Sequence, residues 1–197
     1  MSAAARHRRR RRSGGYTLIE VMMALAVLTA GAVGIVGMQQ AAIRGNMISR
    51  QITTANNLAQ LWIDRLQRDS IHWTNSSSTA SVADLANTTY LKNVTAAGST
   101  PAWFVPVPGT SIPEAAAFDY YGRDTTTAGA MYYCANIRLA WVYPGRAMRG
   151  DVRIWWARTS NQATTGLAAC NGGAVAPTGN FNVRMVQAST VLRPVAL

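Results

Sequence analysis

Residues 16–38 read YTLIEVMMALAVLTAGAVGIVGM, and this stretch decides the architecture of the chain. It is 23 residues long, and Glu20 is its one charged residue. At about 1.5 Å per residue a helix of that length reaches about 35 Å, enough to cross the apolar core of a bilayer. A helix buried in a globular core is the bland alternative, for which 23 nearly uncharged residues are long. A secretory signal cut at Ala30-Gly31-Ala32, after Ala32, is another; against it, the apolar run carries an early acid and continues to Met38. Glu20 itself is unusual, because an acid in a membrane span is costly without a partner. No Lys, Arg or His lies between Tyr16 and Ile43, so a partner must come from another molecule or from a newly exposed α-amine.

Charge patterning upstream supports the membrane reading. The 197-residue chain carries a formal +11 with 49% hydrophobic residues, which excludes a disordered polyelectrolyte. A pI near 10.8 first suggests nucleic-acid binding. Six of the nineteen basic residues, however, are Arg6 and Arg8 to Arg12, directly before the apolar run. They orient a span with its N-terminus in the cytoplasm and the rest of the chain across the membrane. Without residues 1–15, thirteen basic and eight acidic side chains remain, and the excess falls to +5.

The block Gly14-Gly15-Tyr16-Thr17-Leu18-Ile19-Glu20-Val21 resembles the class III signal of type IV prepilins and pseudopilins. That resemblance implies cleavage by a membrane prepilin peptidase after Gly15 and N-methylation of Tyr16. It also implies that Glu20 meets the N-terminal amine of an adjacent subunit during assembly. Tyr16 stands where the family usually has Phe. Gln39-Gln40, Ala55-Asn56-Asn57-Leu58-Ala59 and Ile63-Asp64-Arg65-Leu66 extend the likeness to PilV-type minor pilins, the type IV pilus modification proteins. Type II secretion pseudopilins share the N-terminal block.

Beyond the span the helix is expected to continue to residue 73, since no proline precedes Pro101. Ile48, Ile52, Ala55, Ala59, Trp62 and Leu66 form one helical stripe, expected to pack on the chain's own head. The domain plan is therefore a leader at 1–15, a span at 16–38, an amphipathic continuation at 39–73 and a head at 74–197. Within the head, residues 81–92 suggest a helical turn and 98–130 a Pro/Gly/Thr-rich loop. Strands are expected at Met131–Tyr143, Val152–Arg158 and Phe181–Leu192, with a turn at Pro144-Gly145. Tyr133, Ala135, Ile137, Leu139, Trp141 and Tyr143 alternate onto one face. The fold class is α+β, pilin-like: a long N-terminal helix packed on a small antiparallel sheet.

Cys134 and Cys170 are the only cysteines, and a disulfide is the economical reading for a domain exported to an oxidising compartment. No metal site is expected, as neither a CxxC nor a His cluster occurs. Two histidines, His7 and His72, give little support for a triad, and no phosphate-cradling or HExxH motif appears. Neither catalysis nor a cofactor is expected. The resemblance implies a minor type IV pilin, with motility and adhesion as the associated activities; prepilin peptidase, other pilins, the inner membrane and the pilus assembly machinery are the implied partners. A tip module that captures nucleic acid is a further expectation. Arg138, Arg146, Arg149, Arg153 and Arg158 alternate with Tyr143, Trp155 and Trp156, a pattern suited to phosphate contact and base stacking. Arg149-Gly150-Asp151 spells an integrin-type tripeptide in an expected hairpin loop, a match too short to carry weight.

Overall fold

The computed structural model describes residues 15–73, 85–106, 114–157, 170 and 183–194. They divide into two units after Ile48. A single helix, α1, runs from Leu18 to Ser70, three residues short of the expected end at 73. Its start follows from local chemistry. The backbone N–H of Glu20 donates to the Thr17 hydroxyl at 3.4 Å, so Thr17 caps the helix. Glu20 sits in the first turn, where the helix dipole favours an acid. In the first unit, every residue from Gly15 to Met47 is exposed. The helix is long and apolar enough there to cross a membrane.

The second unit places the C-terminal part of α1 on a four-stranded antiparallel sheet. Strands β1 (Ala117–Phe118), β2 (Tyr133–Tyr143), β3 (Ala147–Ala157) and β4 (Val183–Leu192) lie in chain order across it. The short β1 falls inside the segment expected to be loop. At two residues it is too brief to show a period. The β2–β3 hairpin turns through Pro144-Gly145-Arg146, with Gly145 at φ +74° and Arg146 N–H donating to the Tyr143 carbonyl. The register slips between Trp141 and Tyr143, which leaves Val142 bulged and exposed.

One sheet face and one helix face make the main core. Ala55, Leu58, Ala59, Trp62, Ile63 and Leu66 of α1 meet Tyr133, Ala135, Ile137, Leu139, Val152, Ile154 and Trp156. The expected alternation on β2 thus faces the core from Tyr133 to Leu139, with Trp141 half-buried at its edge, while Tyr143 lies beyond the register slip and is exposed. The buried helical stripe begins at Ala55, two turns later than the expected start at Ile48, because Ile48 is only half-buried, Ile52 is exposed and the neighbouring Gln51 and Thr54 meet tyrosines instead. Residues 81–84 lie outside the described residues, and a 3-10 turn forms at Leu91–Asn93.

Two charged side chains on the buried helix face clamp the loops. Asp69, 6% exposed, accepts backbone N–H bonds from Thr89 at 2.6 Å, Tyr90 at 2.8 Å and Leu91 at 3.0 Å. An acid so near a helix C-terminus opposes the dipole, and these three donors offset that cost. Arg65, 5% exposed, donates to both carboxylate oxygens of Asp124, at 3.0 and 2.8 Å. It also makes an ionic contact with Glu114 at 3.4 Å, while its guanidinium lies 4.7 Å from the Trp62 ring centre. Glu114 in turn accepts from the Tyr90 hydroxyl at 2.8 Å; burial, then this bond, pushes the Tyr90 pKa well above its ordinary value.

Helix and sheet side chains close in on Gly150. A Cβ there would lie 3.3 Å from Leu66 Cδ1 and 3.4 Å from Leu192 Cδ1. Gly150→Leu should therefore overpack the core and cost about 1–3 kcal/mol, with Gly150→Ala costing less because two flexible leucine ends can yield. Urea unfolding of the detergent-solubilised chain measures this. An unchanged midpoint for the leucine variant would contradict the packing.

Candidate functional site

Gly15, Tyr16 and Thr17 precede the first helical turn and are non-helical. Tyr16 is 82% exposed, and nothing lies within 4 Å of where a Gly15 Cβ would stand. Among the described residues, packing therefore makes no demand for glycine at 15. An enzyme that approaches the backbone closely would make such a demand. The peptide bond between Gly15 and Tyr16 lies in accessible, non-helical chain, and the helix begins two residues after it.

Glu20 is exposed on the first turn, and among the described residues its carboxylate has no ion-pair partner. Gly31, Gly34 and Gly37 likewise have open space around them. They lower helix propensity by up to about 1 kcal/mol each relative to Ala, with no packing among the described residues to require them. The sequence reading missed Thr17. Its signal was available, because Thr17-Leu18-Ile19-Glu20 is a capping-box pattern before an apolar run.

The cysteines are joined. Cys134 and Cys170 form a disulfide with Cα atoms 5.8 Å apart across 36 residues of sequence. Both are fully buried in a second small core with Val105, Ala116, Met131 and Trp155. The bond ties Cys170 to β2 beside Ala117 of β1. In the chain-entropy account a loop of this size stabilises by roughly 4 kcal/mol.

The five arginines singled out for nucleic-acid contact do not form an open stacking face. Arg153 is 5% exposed, and Trp155 and Trp156 are interior, so neither tryptophan can stack on a base. Arg138 donates to Asp151 at 3.0 and 2.7 Å, and Arg149 donates to its other carboxylate oxygen at 2.7 Å. Arg138 and Arg153 also lie against the Trp103 ring, at 4.7 and 4.3 Å from its centre. Arg146 is exposed beside Tyr143, and Arg158 lies outside the described residues. Alternation places Arg138, Arg149 and Arg153 on strands, whereas Arg146 lies in the hairpin turn; no local pattern reveals that Asp151 and Trp103 pack against the strand arginines. The same geometry corrects the tripeptide 149–151, which lies inside β3 and not in a loop, with Asp151 only 2% exposed. Among the described residues no group of three or more His, Cys, Asp or Glu could hold a metal ion.

Residues 10–36 match the protein-family model described as the prokaryotic N-terminal methylation motif. The match covers Arg10 to Arg12 of the leader, the Gly15–Tyr16 junction, Glu20 and most of the span, and it supports a type IV prepilin-like protein. Comparison with curated proteins and with solved structures returned no match.

Asp151 supplies a pH prediction for the head. Burial alone would raise its carboxyl, but hydrogen bonds from Ser189, Arg138 and Arg149, with the Arg149 charge, outweigh burial and hold it below the ordinary 3.8. A depressed carboxyl contributes its stability in full above the unfolded value and loses it as the pH falls through the folded one. Unfolding midpoints should therefore drop below about pH 4. Asp151→Asn should flatten that acid limb, while an identical limb in the variant would exclude Asp151 as its source. Separately, Cys170→Ser should abolish the mobility shift between reduced and oxidised protein on a gel. No shift in the parent protein would contradict the bond.

Proposed function

We propose that the chain is a minor type IV pilin of the PilV kind, cleaved after Gly15, N-methylated at Tyr16 and assembled with other pilins. It works by packing and not by catalysis. The observation that carries this reading is the methylation motif at 10–36, set on a helix whose apolar surface is exposed from Leu18 to Met47. Twelve large apolar side chains between Leu18 and Met38 are 48–82% exposed. Burying them is worth tens of kcal/mol, at about 1.5–3 kcal/mol each, which favours first a bilayer and then a filament core. The Gly31, Gly34 and Gly37 positions suit close helix contact in either setting.

Glu20 is the assembly residue in this proposal. An unpaired carboxylate in an apolar bundle is costly, and the α-amine created at Tyr16 of a neighbour is a cation at the right depth to offset it. The leader arginines would hold the N-terminus in the cytoplasm until cleavage, with the head in the periplasm and later on the cell surface. The disulfide suits that oxidising side. A type II secretion pseudopilin shares every one of these features. Deletion of the gene separates the two, through lost piliation and motility or through lost protein secretion.

Glu20→Ala tests the pairing. Membrane insertion and cleavage should persist, while the amount of the protein in sheared pili should fall by at least about tenfold, the equivalent of 1.4 kcal/mol. Normal incorporation of the variant would sink the pairing.

A further inference from the structure

A groove of about 410 Å³ opens on the head beside Ser49 to Thr54 of α1 and the turn after β1. Tyr120, Tyr121 and Tyr133 line it together with Arg50, Gln51 and Thr53. From these features we propose that the groove is a saccharide-binding site, with a preference for a sugar ring that bears a carboxylate.

The rings are held before any ligand arrives. Tyr121 lies edge-on to Tyr120 at 5.6 Å, Tyr120 to Tyr132 at 5.1 Å and Tyr132 to Tyr133 at 4.9 Å, and Tyr133 lies 5.7 Å from Trp156 in the core. Gln51 fixes the ladder from the helix side: its amide donates to the Tyr132 hydroxyl at 2.8 Å and accepts from Trp156 Nε1 at 3.4 Å. Yet the outer two rings remain 46% and 77% exposed. Rigid aromatic surface at the mouth of a cleft loses little entropy on binding. The turn that carries it is equally fixed, since Asp119 accepts from the backbone N–H groups of Tyr121 and Arg123, both at 2.9 Å.

Wall chemistry selects the ligand class. The volume lies within the range of small-molecule clefts, about 300–1,000 Å³. A pyranose offers an apolar C–H face to a tyrosine ring and a rim of hydroxyls to the polar side chains of the lining. A lipid chain would cover Arg50 without offering it a counter-charge or a hydrogen-bond acceptor. A nucleic acid needs several cations to neutralise its phosphates, and among the described residues Arg50 is the single cation in the lining, with Arg123 at 5.6 Å from the Tyr121 ring centre. Among the described residues no carboxylate is in the lining, so a cationic ligand has no counter-charge there, whereas an acidic sugar meets Arg50. The site belongs to the head and does not depend on how the N-terminus is processed.

The test uses the full chain in detergent micelles, with methyl galacturonate and methyl galactoside as probes in saturation-transfer NMR and titration. Both should receive saturation at their ring C–H protons, and the acidic sugar should bind several-fold more tightly. Tyr121→Ala, at an exposed turn, should weaken both by about tenfold with an unchanged unfolding midpoint. Arg50→Gln should make the two sugars equal. Absence of transfer from either sugar at about 10 mM, or undiminished binding by Tyr121→Ala, would overturn the proposal. Displacement of the acidic sugar by an equal concentration of inorganic phosphate would also overturn it, by showing a simple anion site.

Discussion

An apolar helical surface that stays exposed to solvent constrains everything else about this protein. From Leu18 to Met47 every helical residue is exposed, and water is the environment in which such an apolar surface is expensive. A bilayer satisfies the backbone through intrahelical bonds and the side chains through lipid. A filament core satisfies the same side chains through other helices. The lone acid at Glu20 suits both settings only if something cationic comes to it, so the motif and the exposed helix call for the same partner. The one local device that belongs to the chain itself is the Thr17 cap, which starts the helix just after the Gly15–Tyr16 bond.

The same helix is used differently after Ser49. There its buried face is the central element of the head, and two charged residues on that face reach past the sheet to hold loops that have little regular structure. Asp69 gathers three backbone N–H groups, while Arg65 gathers Asp124 and Glu114. A buried ion pair contributes little net stability against an apolar replacement, but removing one partner is strongly destabilising. Arg65 and Asp69 therefore act as specificity devices for the loop positions. The Cys134–Cys170 bond does similar work on the other sheet face, where a small second core lies beside the polar inlay of Arg138, Asp151 and Trp103.

What could be read in the sequence follows the range of each signal. The span, the leader and the processing motif are contiguous, and contiguous patterns are legible: 23 apolar residues, a block of arginines and a glycine before an aromatic-Thr-Leu-Ile-Glu run. The strands β2 and β4 and the start of the hairpin turn were legible through alternation and Pro-Gly. The β3 start was placed five residues late, at Val152 against the observed Ala147, because Arg149 and Gly150 interrupt the apolar pattern. Gly150 is small because Leu66 and Leu192 press on it from distant parts of the chain, which no local window contains. Nothing local marks the roles of Arg65 and Asp69, since their partners lie 20 to 59 residues away. The basic strands misled most: alternation located the arginines, but only the fold shows Asp151 neutralising two of them and the core enclosing Trp155 and Trp156.

The central claim is that residues 1–15 are an address to be removed and that Tyr16 begins the working protein. N-terminal sequencing with intact-mass measurement of the protein purified from membranes tests it most directly. The account predicts a mature chain that starts at Tyr16 and carries one methyl group on its α-amine. A chain starting at Val33, or one that keeps Met1 and the arginines, would contradict it.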